Sequence, residues 1–253
     1  MTRMLEGKVV IITGAATGIG RAIALTAGRA GALLMLGDIQ EQATEQLVSE
    51  LTADGVSARF QKTDVSIPAD VKNLFRAAEQ EFSAPDIVFA NAGIEGPAGA
   101  PWECSEEDFM RVIDINLAGA WRTMIAALPA MMERRSGAIV ATASVAGLVG
   151  AGGLAPYVAS KHGIVGLVRS IAIDAARANV RVNAICPGMI ETAMVDRLAA
   201  LTPSFRESLL ALKPMGRLGQ PGEVAEAAVW IASDKASFIT GHALTIDGGY
   251  AAQ

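Results

Sequence analysis

The 253-residue sequence has few of the residues from which metal and disulfide sites are built. It contains two cysteines, Cys104 and Cys186, and two histidines, His162 and His242. Neither pair has the short spacing of a metal-binding or redox motif, and no histidine lies beside a cysteine. We therefore expect no metal site, and we expect Cys186 to be a small buried apolar residue at the end of a strand.

Clusters of positive charge are also missing. The chain has 21 Lys and Arg residues against 26 Asp and Glu residues, which gives a formal net charge of −5, and no basic run stands out. Proteins that bind nucleic acids need a basic patch to offset the phosphate charge. The composition therefore disfavours nucleic acid or another polyanion as a partner.

No long apolar helix is expected. Residues 136–160 carry no charge, but glycine and proline interrupt them repeatedly, and each helical glycine costs about 1 kcal/mol. A strand followed by an active-site loop accounts for this stretch better than a membrane span. The first residues lack the basic head and apolar block of a signal peptide. We therefore expect a cytoplasmic protein without a membrane partner.

Short apolar runs alternate along the chain with longer amphipathic segments. Most of the short runs are continuously apolar, as in strands that are covered on both faces. The seven expected strands are Val9–Thr13, Ala32–Asp38, Ala58–Lys62, Ile87–Asn91, Ala138–Thr142, Arg181–Ile185 and Ala243–Ile246. The expected helices are Gly18–Ala30, Glu41–Ala53, Pro68–Phe82, Ser105–Glu133, Pro156–Ala178 and Glu223–Ser233.

This alternation predicts one α/β domain over residues 1–253. Because parallel strands need crossover helices, the fold class is a Rossmann-type, doubly wound, seven-stranded parallel sheet with helices on both faces. No change of composition indicates a linker, and there is no internal repeat. Residues 188–216 are the one long segment without a clear place in the alternation.

A glycine-rich segment, Thr13–Gly20, lies where the first strand turns into a helix. Such a turn lets backbone N–H groups approach a pyrophosphate at the N-terminus of the helix. Asp38 ends the next strand, where a carboxylate accepts hydrogen bonds from the adenosine ribose and repels a 2′-phosphate. We therefore predict NAD rather than NADP. The alternatives are an ordinary glycine-rich turn and a capping or turn aspartate.

Tyr157 and Lys161 are four residues apart and share a face if they lie on one helix, and Ser144 precedes them just after an apolar strand. A phenol has a reference pKa near 10. A nearby ammonium group and an oxidised nicotinamide would lower that pKa and make the tyrosine a usable base. The alternative is a chance Tyr–Lys pair, and the spacing alone does not decide between the two.

In combination these motifs resemble the classical short-chain dehydrogenase/reductase family, from Gly7 to Gly249. The residues that carry the resemblance are Thr13–Gly20, Asn91–Gly93, Asn116–Gly119, Tyr157–Lys161, Pro187–Gly188 with Thr192, and Asp247–Gly249. Within that family, Asp38 indicates a member that prefers NAD.

The resemblance implies a role for each of four residues. Tyr157 exchanges the proton of the alcohol as general acid or base, and Ser144 hydrogen-bonds the substrate oxygen. Lys161 lowers the pKa of Tyr157 and holds the nicotinamide ribose, and Asn116 anchors a water relay behind it. The alternative for Asn116 is a mid-helix asparagine with an exposed side chain.

The resemblance also implies the cofactor contacts. The expected residues are Gly14, Thr17, Gly18, Ile19, Gly20, Asp38, Asp64, Val65, Asn91, Ala92, Gly93, Tyr157, Lys161, Pro187, Gly188, Ile190 and Thr192. Asp64 is alternatively a turn aspartate. Residues 188–216 match the substrate lid of the family, although their apolar side chains are equally explained by packing. Leu148–Leu154 is expected to form the opposite wall, and Glu95 faces either the substrate or the solvent.

Three functions are consistent with the motifs. The favoured one is an NAD-dependent dehydrogenase or reductase that interconverts a secondary alcohol and a ketone, with a small, apolar substrate. The second is a reductase of 3-oxoacyl thioesters on a carrier protein, against which Asp38 argues because that reaction usually uses NADP. The third is a non-catalytic dinucleotide sensor. The resemblance also implies a homotetramer, with contacts through Ser105–Glu133 and Pro156–Ala178.

Overall fold

The computed structural model describes residues 3–192 and 214–252. Its centre is a parallel sheet of seven strands in the order β3-β2-β1-β4-β5-β6-β7. The strands are β1 (Val9–Thr13), β2 (Leu33–Asp38), β3 (Ala58–Lys62), β4 (Ile87–Ala90), β5 (Gly137–Thr142), β6 (Val180–Pro187) and β7 (Ala243–Ile246). The predicted doubly wound sheet is therefore confirmed.

Helices cover both faces of the sheet. They are α1 (Gly18–Arg29), α2 (Glu41–Ala53), α3 (Pro68–Glu81), α4 (Glu106–Val112), α5 (Gly119–Arg134), α6 (Ala155–Ala175) and α7 (Pro221–Ala232). Successive side chains of a strand point to opposite faces. Val10 and Ile12 accordingly pack with α1, α2 and α7, while Ile11 packs with α3, α5 and α6.

A capping side chain fixes the start of α4. Ser105 caps α4, because its hydroxyl oxygen accepts a hydrogen bond from the Asp108 N–H at 3.0 Å. The predicted helix over Ser105–Glu133 is not uniform, however. A π-helical turn, Ile113–Ala118, separates α4 from α5. Such turns are frequent at functional sites, and hydrophobic periodicity does not indicate them.

The strand order places a ligand cleft at one end of the sheet. The chain proceeds from β1 through β2 to β3 on one side, and then from β4 to β7 on the other. In an open parallel sheet, ligands bind outside the carboxyl ends of the strands where this order reverses. The switch point here lies between β1 and β4. None of the helices that the structure describes is long and apolar enough to cross a bilayer.

At the opposite end of the sheet, Arg181 on β6 closes the last turn of α7. The side chain is buried, and its guanidinium donates hydrogen bonds to the carbonyl oxygens of Ile231, Ala232 and Ser233 at 2.7, 2.8 and 2.9 Å. The last carbonyls of a helix have no partner within the helix. Arg181 therefore satisfies groups that would otherwise be buried without a donor.

The substitution Arg181→Met leaves these carbonyls unsatisfied and should lower the free energy of unfolding by about 3 kcal/mol. Urea unfolding followed by circular dichroism measures the change. Arg59→Met is the matched control, because Arg59 lies on β3 in a partly exposed ion pair with Glu81. The control should lose less than about 1 kcal/mol. Equal losses in the two variants would contradict this account of Arg181.

Candidate active site

The turn between β1 and α1 is shaped by glycines. Gly14 and Gly18 have positive φ angles of 67° and 54°. A Cβ atom on Gly20 would lie 2.0 Å from the Gly14 carbonyl oxygen, so no larger residue fits there. Thr17 is the N-cap residue of α1, and Ile19 packs against the core below. The first N–H groups of α1 have no partner within the helix and are available to a phosphate.

Asp38, at the end of β2, is fixed against this turn. Its carboxylate accepts hydrogen bonds from the Ala16 N–H at 2.8 Å and the Gln40 N–H at 2.9 Å, and only 6% of the residue is exposed. The bond to Gln40 is the contact of a turn aspartate, and the bond to Ala16 connects Asp38 to the glycine turn. A carboxylate has lone pairs left for further donors such as ribose hydroxyls.

Asp64 and Val65 lie just after β3. The Asp64 carboxylate accepts hydrogen bonds from the Ser66 N–H at 2.9 Å and the Ser66 hydroxyl at 2.6 Å, so Asp64 does have the role of a turn aspartate. Val65 is buried, and its carbonyl oxygen accepts a hydrogen bond from the Arg122 guanidinium at 3.1 Å. Contact of the two residues with an adenine stays a prediction.

Asn91 joins three strand ends. Its side-chain amide donates hydrogen bonds to the carbonyl oxygens of Thr13 at 3.2 Å and Gly14 at 3.1 Å, and its oxygen accepts one from the Thr142 hydroxyl at 3.0 Å. The backbone of Ala92 lies directly against Gly14, where an added Cβ would be 2.7 Å from the Ala92 Cα. The predicted Asn91 segment therefore lies beside the glycine turn.

Gly93 connects the glycine turn with the catalytic residues. A Cβ atom on Gly93 would be 3.1 Å from the Asn116 side-chain oxygen and 3.6 Å from the Lys161 Nζ atom. The dinucleotide motif and the Tyr–Lys motif are thus brought together, although they lie far apart in the sequence.

Asn116 lies on the π-helical turn and is completely buried. Its oxygen accepts a hydrogen bond from the Ile94 N–H at 2.8 Å, and its amide donates to the Ile94 carbonyl at 2.9 Å and the Ser160 hydroxyl at 3.1 Å. The alternative of a mid-helix asparagine with an exposed side chain is therefore wrong, because the turn directs the side chain into the interior. A water relay at Asn116 stays a prediction.

Tyr157 and Lys161 lie on the first turns of α6, and Ser144 follows β5. Tyr157 and Ser144 share a side-chain hydrogen bond. The Ser144 hydroxyl lies 3.4 Å from the Pro187 carbonyl oxygen. The Lys161 ammonium donates a hydrogen bond to the Thr142 carbonyl at 2.8 Å and lies 5.5 Å from the centre of the Tyr157 ring. The three predicted catalytic side chains therefore form one cluster.

Burial controls the ionisation of this cluster. It lowers the pKa of Lys161 to about 8, and a smaller effect of Cys186 opposes it. Burial also raises the pKa of Tyr157, and the hydrogen bond from Ser144 lowers that pKa by less. In the protein alone the pKa of Tyr157 is therefore raised, because the surrounding protein disfavours the phenolate more strongly than the Ser144 hydrogen bond favours it. The lowered pKa that was expected from the ammonium together with an oxidised nicotinamide stays a prediction.

The segment after β6 returns to the glycine turn. Gly188 packs against Asp247, where an added Cβ would be 2.8 Å from the Asp247 Cα. Ile190 is buried, and the Thr192 methyl group would lie 3.4 Å from a Cβ atom on Gly18. Thr192 therefore lies beside the glycine turn, and contact of Pro187, Gly188, Ile190 and Thr192 with a cofactor stays a prediction. Most of the predicted lid, residues 193–213, lies outside the described residues.

Three supporting residues were not predicted. The Ser160 hydroxyl donates a hydrogen bond to the Tyr157 carbonyl at 2.7 Å and accepts one from Asn116. Thr142 supplies the carbonyl that holds Lys161. Arg122 bridges the Val65 carbonyl and the Asp114 carboxylate, the latter at 2.7 Å. The sequence offered one indication of their roles, namely that each lies inside or next to one of the motifs.

The residues fit a nicotinamide dinucleotide. The glycine turn has no room for larger side chains and leaves its backbone accessible to a pyrophosphate. The Asp38 carboxylate at the end of β2 is fixed beside this turn. The hydroxyl and ammonium groups of the cluster lie at the other end of the same cleft. Within the described parts of the chain, no group of three or more His, Cys, Asp or Glu side chains is arranged to hold a metal ion.

Comparisons with known proteins agree with this geometry. The chain is 38% identical over 251 residues to cyclohexanol dehydrogenase of Acinetobacter sp., covering 99% of this chain and 97% of that protein. It is 38% identical over 247 residues to a 3-oxoacyl-[acyl-carrier-protein] reductase of Thermotoga maritima, covering 97% and 98%. The crystal structure of levodione reductase superposes with a TM-score of 0.94 at 35% identity, covering 98% and 99% of the two chains.

A family model described as enoyl-(acyl carrier protein) reductase matches residues 14–251. The match includes the glycine turn, the Asn91 segment, Asn116 and the Tyr157 cluster. All of these relatives are oxidoreductases by name, and the coverage extends over nearly the whole chain. The chain belongs to the short-chain dehydrogenase/reductase family of oxidoreductases.

Proposed function

We propose that the protein is an NAD(H)-dependent oxidoreductase that interconverts a secondary alcohol and a ketone. The observation that carries the proposal is the cluster of Ser144, Tyr157 and Lys161 at the end of the cleft that begins with the glycine turn. Two neighbouring hydroxyl groups suit a single substrate oxygen, which hydrogen-bonds both.

The protein's part in the reaction is the transfer of one proton. In the oxidation direction, the alcohol loses its hydroxyl proton to Tyr157 as its carbon–hydrogen bond breaks. In the reduction direction, Tyr157 returns that proton to the ketone oxygen. A nicotinamide dinucleotide held by the glycine turn and Asp38 would, when bound, take up the hydride in the oxidation direction and supply it in the reduction direction. Ser144 donates a hydrogen bond to the substrate oxygen, where negative charge develops.

The pKa shifts indicate how the two directions differ. Because burial raises the pKa of Tyr157, the phenol is protonated at neutral pH and ready to donate to a ketone. Oxidation requires the phenolate, and the Lys161 ammonium, which is of opposite charge, lies 5.5 Å from the centre of the Tyr157 ring. With a pKa of about 8, Lys161 still carries its charge at neutral pH.

A second candidate is the reduction of a 3-oxoacyl thioester, because the Thermotoga maritima relative is named for that reaction. The same cluster would protonate the keto oxygen. Comparing an acetoacetyl thioester with simple cyclic and aliphatic ketones distinguishes the two candidates. A catalytic efficiency for the thioester far above that of every simple ketone would favour the second candidate.

Replacing Tyr157 with Phe removes the proton donor and should lower turnover by about 10²- to 10⁴-fold. Binding of NADH, followed by its fluorescence, should stay close to that of the wild type. Tyr250→Phe is the control, since Tyr250 is the other tyrosine of the chain and belongs to the C-terminal turn Tyr250–Ala252. Wild-type turnover in the Tyr157 variant would overturn the assignment of the acid/base.

Cofactor choice depends on Asp38. A 2′-phosphate would meet a fixed buried carboxylate, so the wild type should use NAD with a kcat/KM about 100-fold or more above that for NADP. Asp38→Ser removes the charge and should reduce that ratio by at least about tenfold. The measurement is steady-state kinetics with both cofactors and one alcohol. Equal or better use of NADP by the wild type would refute the preference.

A further inference from the structure

Arg122 lies on the first turn of α5 and connects two segments that are distant in the sequence. Its guanidinium donates a hydrogen bond at 3.1 Å to the carbonyl of Val65, in the segment after β3. It also donates to the Asp114 carbonyl at 3.3 Å and to the Asp114 carboxylate at 2.7 Å. Only 19% of the side chain is exposed, so water weakens these bonds little. Arg122 therefore joins the end of β3 to the π-helical turn.

The Val65 segment is packed closely against α5. A Cβ atom on Gly119 would lie 2.6 Å from a methyl carbon of Val65, so the helix and the segment are in direct contact. The Asp64 N–H donates a hydrogen bond to the Asp70 carboxylate at 3.1 Å, which fixes the other side of the segment to α3. Asp64 and Val65 are the residues expected to contact the adenine. Their segment is therefore connected to the first turn of α5 by packing and by the Arg122 hydrogen bond.

The Asp114 end of the connection belongs to the active site. Asp114 lies two residues before Asn116 on the π-helical turn, Ile113–Ala118. Asn116 donates a hydrogen bond to the Ser160 hydroxyl, which in turn donates to the Tyr157 carbonyl. Turns of this kind are rare and occur mostly at functional sites. The position of the π-helical turn therefore affects the positions of Asn116 and Tyr157.

We propose that Arg122 is a positioning residue that couples occupation of the adenosine end of the cofactor site to the placement of Asn116 and Tyr157. The proposal depends on the function proposed above, because it requires a dinucleotide in the cleft. Energetic coupling between distant sites is carried by chains of packed and hydrogen-bonded groups. Here the chain of contacts proceeds from Val65 through Arg122 and Asp114 to the π-helical turn.

An arginine suits this role because its guanidinium is planar and presents several N–H donors in a fixed fork. The Nη1 atom binds the carbonyls of Val65 and Asp114, and the Nη2 atom binds the Asp114 carboxylate. The bond to the carboxylate is charge-assisted and about twice as strong as a neutral one. Methionine is of similar length but has no donor. The substitution Arg122→Met therefore removes the hydrogen-bonded connection between the two segments.

Hydrogen exchange followed by mass spectrometry tests the coupling without turnover. The ligand is ADP-ribose, which has the adenosine and the pyrophosphate of the cofactor but no nicotinamide, so no hydride is transferred. In the wild type, ADP-ribose should slow the amide exchange of Ile113–Ala118 by about fivefold or more. In Arg122→Met it should still bind and protect the glycine turn, but the exchange of Ile113–Ala118 should not respond.

Steady-state kinetics provide the second measurement. At saturating NAD, Arg122→Met should lower kcat by about 10- to 100-fold, because small displacements of catalytic groups are costly. The KM for NAD should change by less than about fivefold, since the residues expected to bind the cofactor are intact. Asp114→Asn should also lower kcat, and it should cause little further loss when combined with Arg122→Met. It provides the same test if the arginine variant does not fold.

Arg134→Met is the matched control. Arg134 lies on the last turn of the same helix, and its partly buried guanidinium donates hydrogen bonds to the carbonyls of Ala84, at 3.2 Å, and Pro85. These carbonyls precede β4, at the end of the sheet opposite to the cleft. The control should keep the wild-type kcat and the response of Ile113–Ala118 to ADP-ribose. Circular dichroism checks that each variant is folded.

The outcomes separate this proposal from the proposed function. A response of the π-helical turn that is present in the wild type and in Arg134→Met, but absent in Arg122→Met, supports the proposal. If the wild type converts a secondary alcohol or a ketone, but its π-helical turn responds equally in Arg122→Met or does not respond at all, the proposal is overturned and the oxidoreductase function stands. If the wild type neither binds ADP-ribose nor converts any secondary alcohol or ketone, the proposed function fails and this proposal fails with it.

Discussion

The side-chain amide of Asn116 is the interaction on which the active site depends. It is completely buried, and all of its hydrogen-bonding groups are used, two by the Ile94 backbone and one by the Ser160 hydroxyl. A buried amide without partners would be strongly destabilising, so the three contacts hold one another in place. Through Ile94 the amide fixes the loop after β4, and through Ser160 it reaches the Tyr157 carbonyl. The loop after β4 and the first turns of α6, which carry Tyr157, are thereby held in a fixed position relative to each other.

Close backbone packing supplies the second constraint. Asn91 joins the ends of β1, β4 and β5, and the glycine turn leaves no room for side chains at Gly14 or Gly20. The ends of these strands are rigid because their backbone hydrogen bonds continue into the buried sheet. Residues at the strand ends are therefore held in fixed positions. Proton transfer between Tyr157 and a substrate oxygen needs this rigidity, since catalytic geometry tolerates little displacement.

Much of this arrangement could be predicted from the sequence because its signals are local. Continuous apolar runs indicated the strands, and the ordered motifs brought Asp38, Asn91, Ser144, Tyr157 and Lys161 to one end of the sheet. Properties of the site that arise from tertiary contacts could not be predicted from the sequence. The π-helical turn and the burial of Asn116 depend on Ile94 and Ser160, which periodicity does not connect. The direction of the Tyr157 pKa shift depends on how much protein surrounds the phenol, and spacing carries no information about that.

The central claim is a direct hydride transfer between a secondary alcohol and NAD within this cleft. The most direct test uses secondary alcohols that carry deuterium on the carbinol carbon, supplied as a mixture of cyclic, aliphatic and aryl compounds with NAD, and mass spectrometry of the reduced cofactor. The account predicts that the NADH formed carries the deuterium and that the matching alcohol becomes a ketone. Reduced cofactor without deuterium, or no reduced cofactor with any alcohol of the mixture, would contradict it.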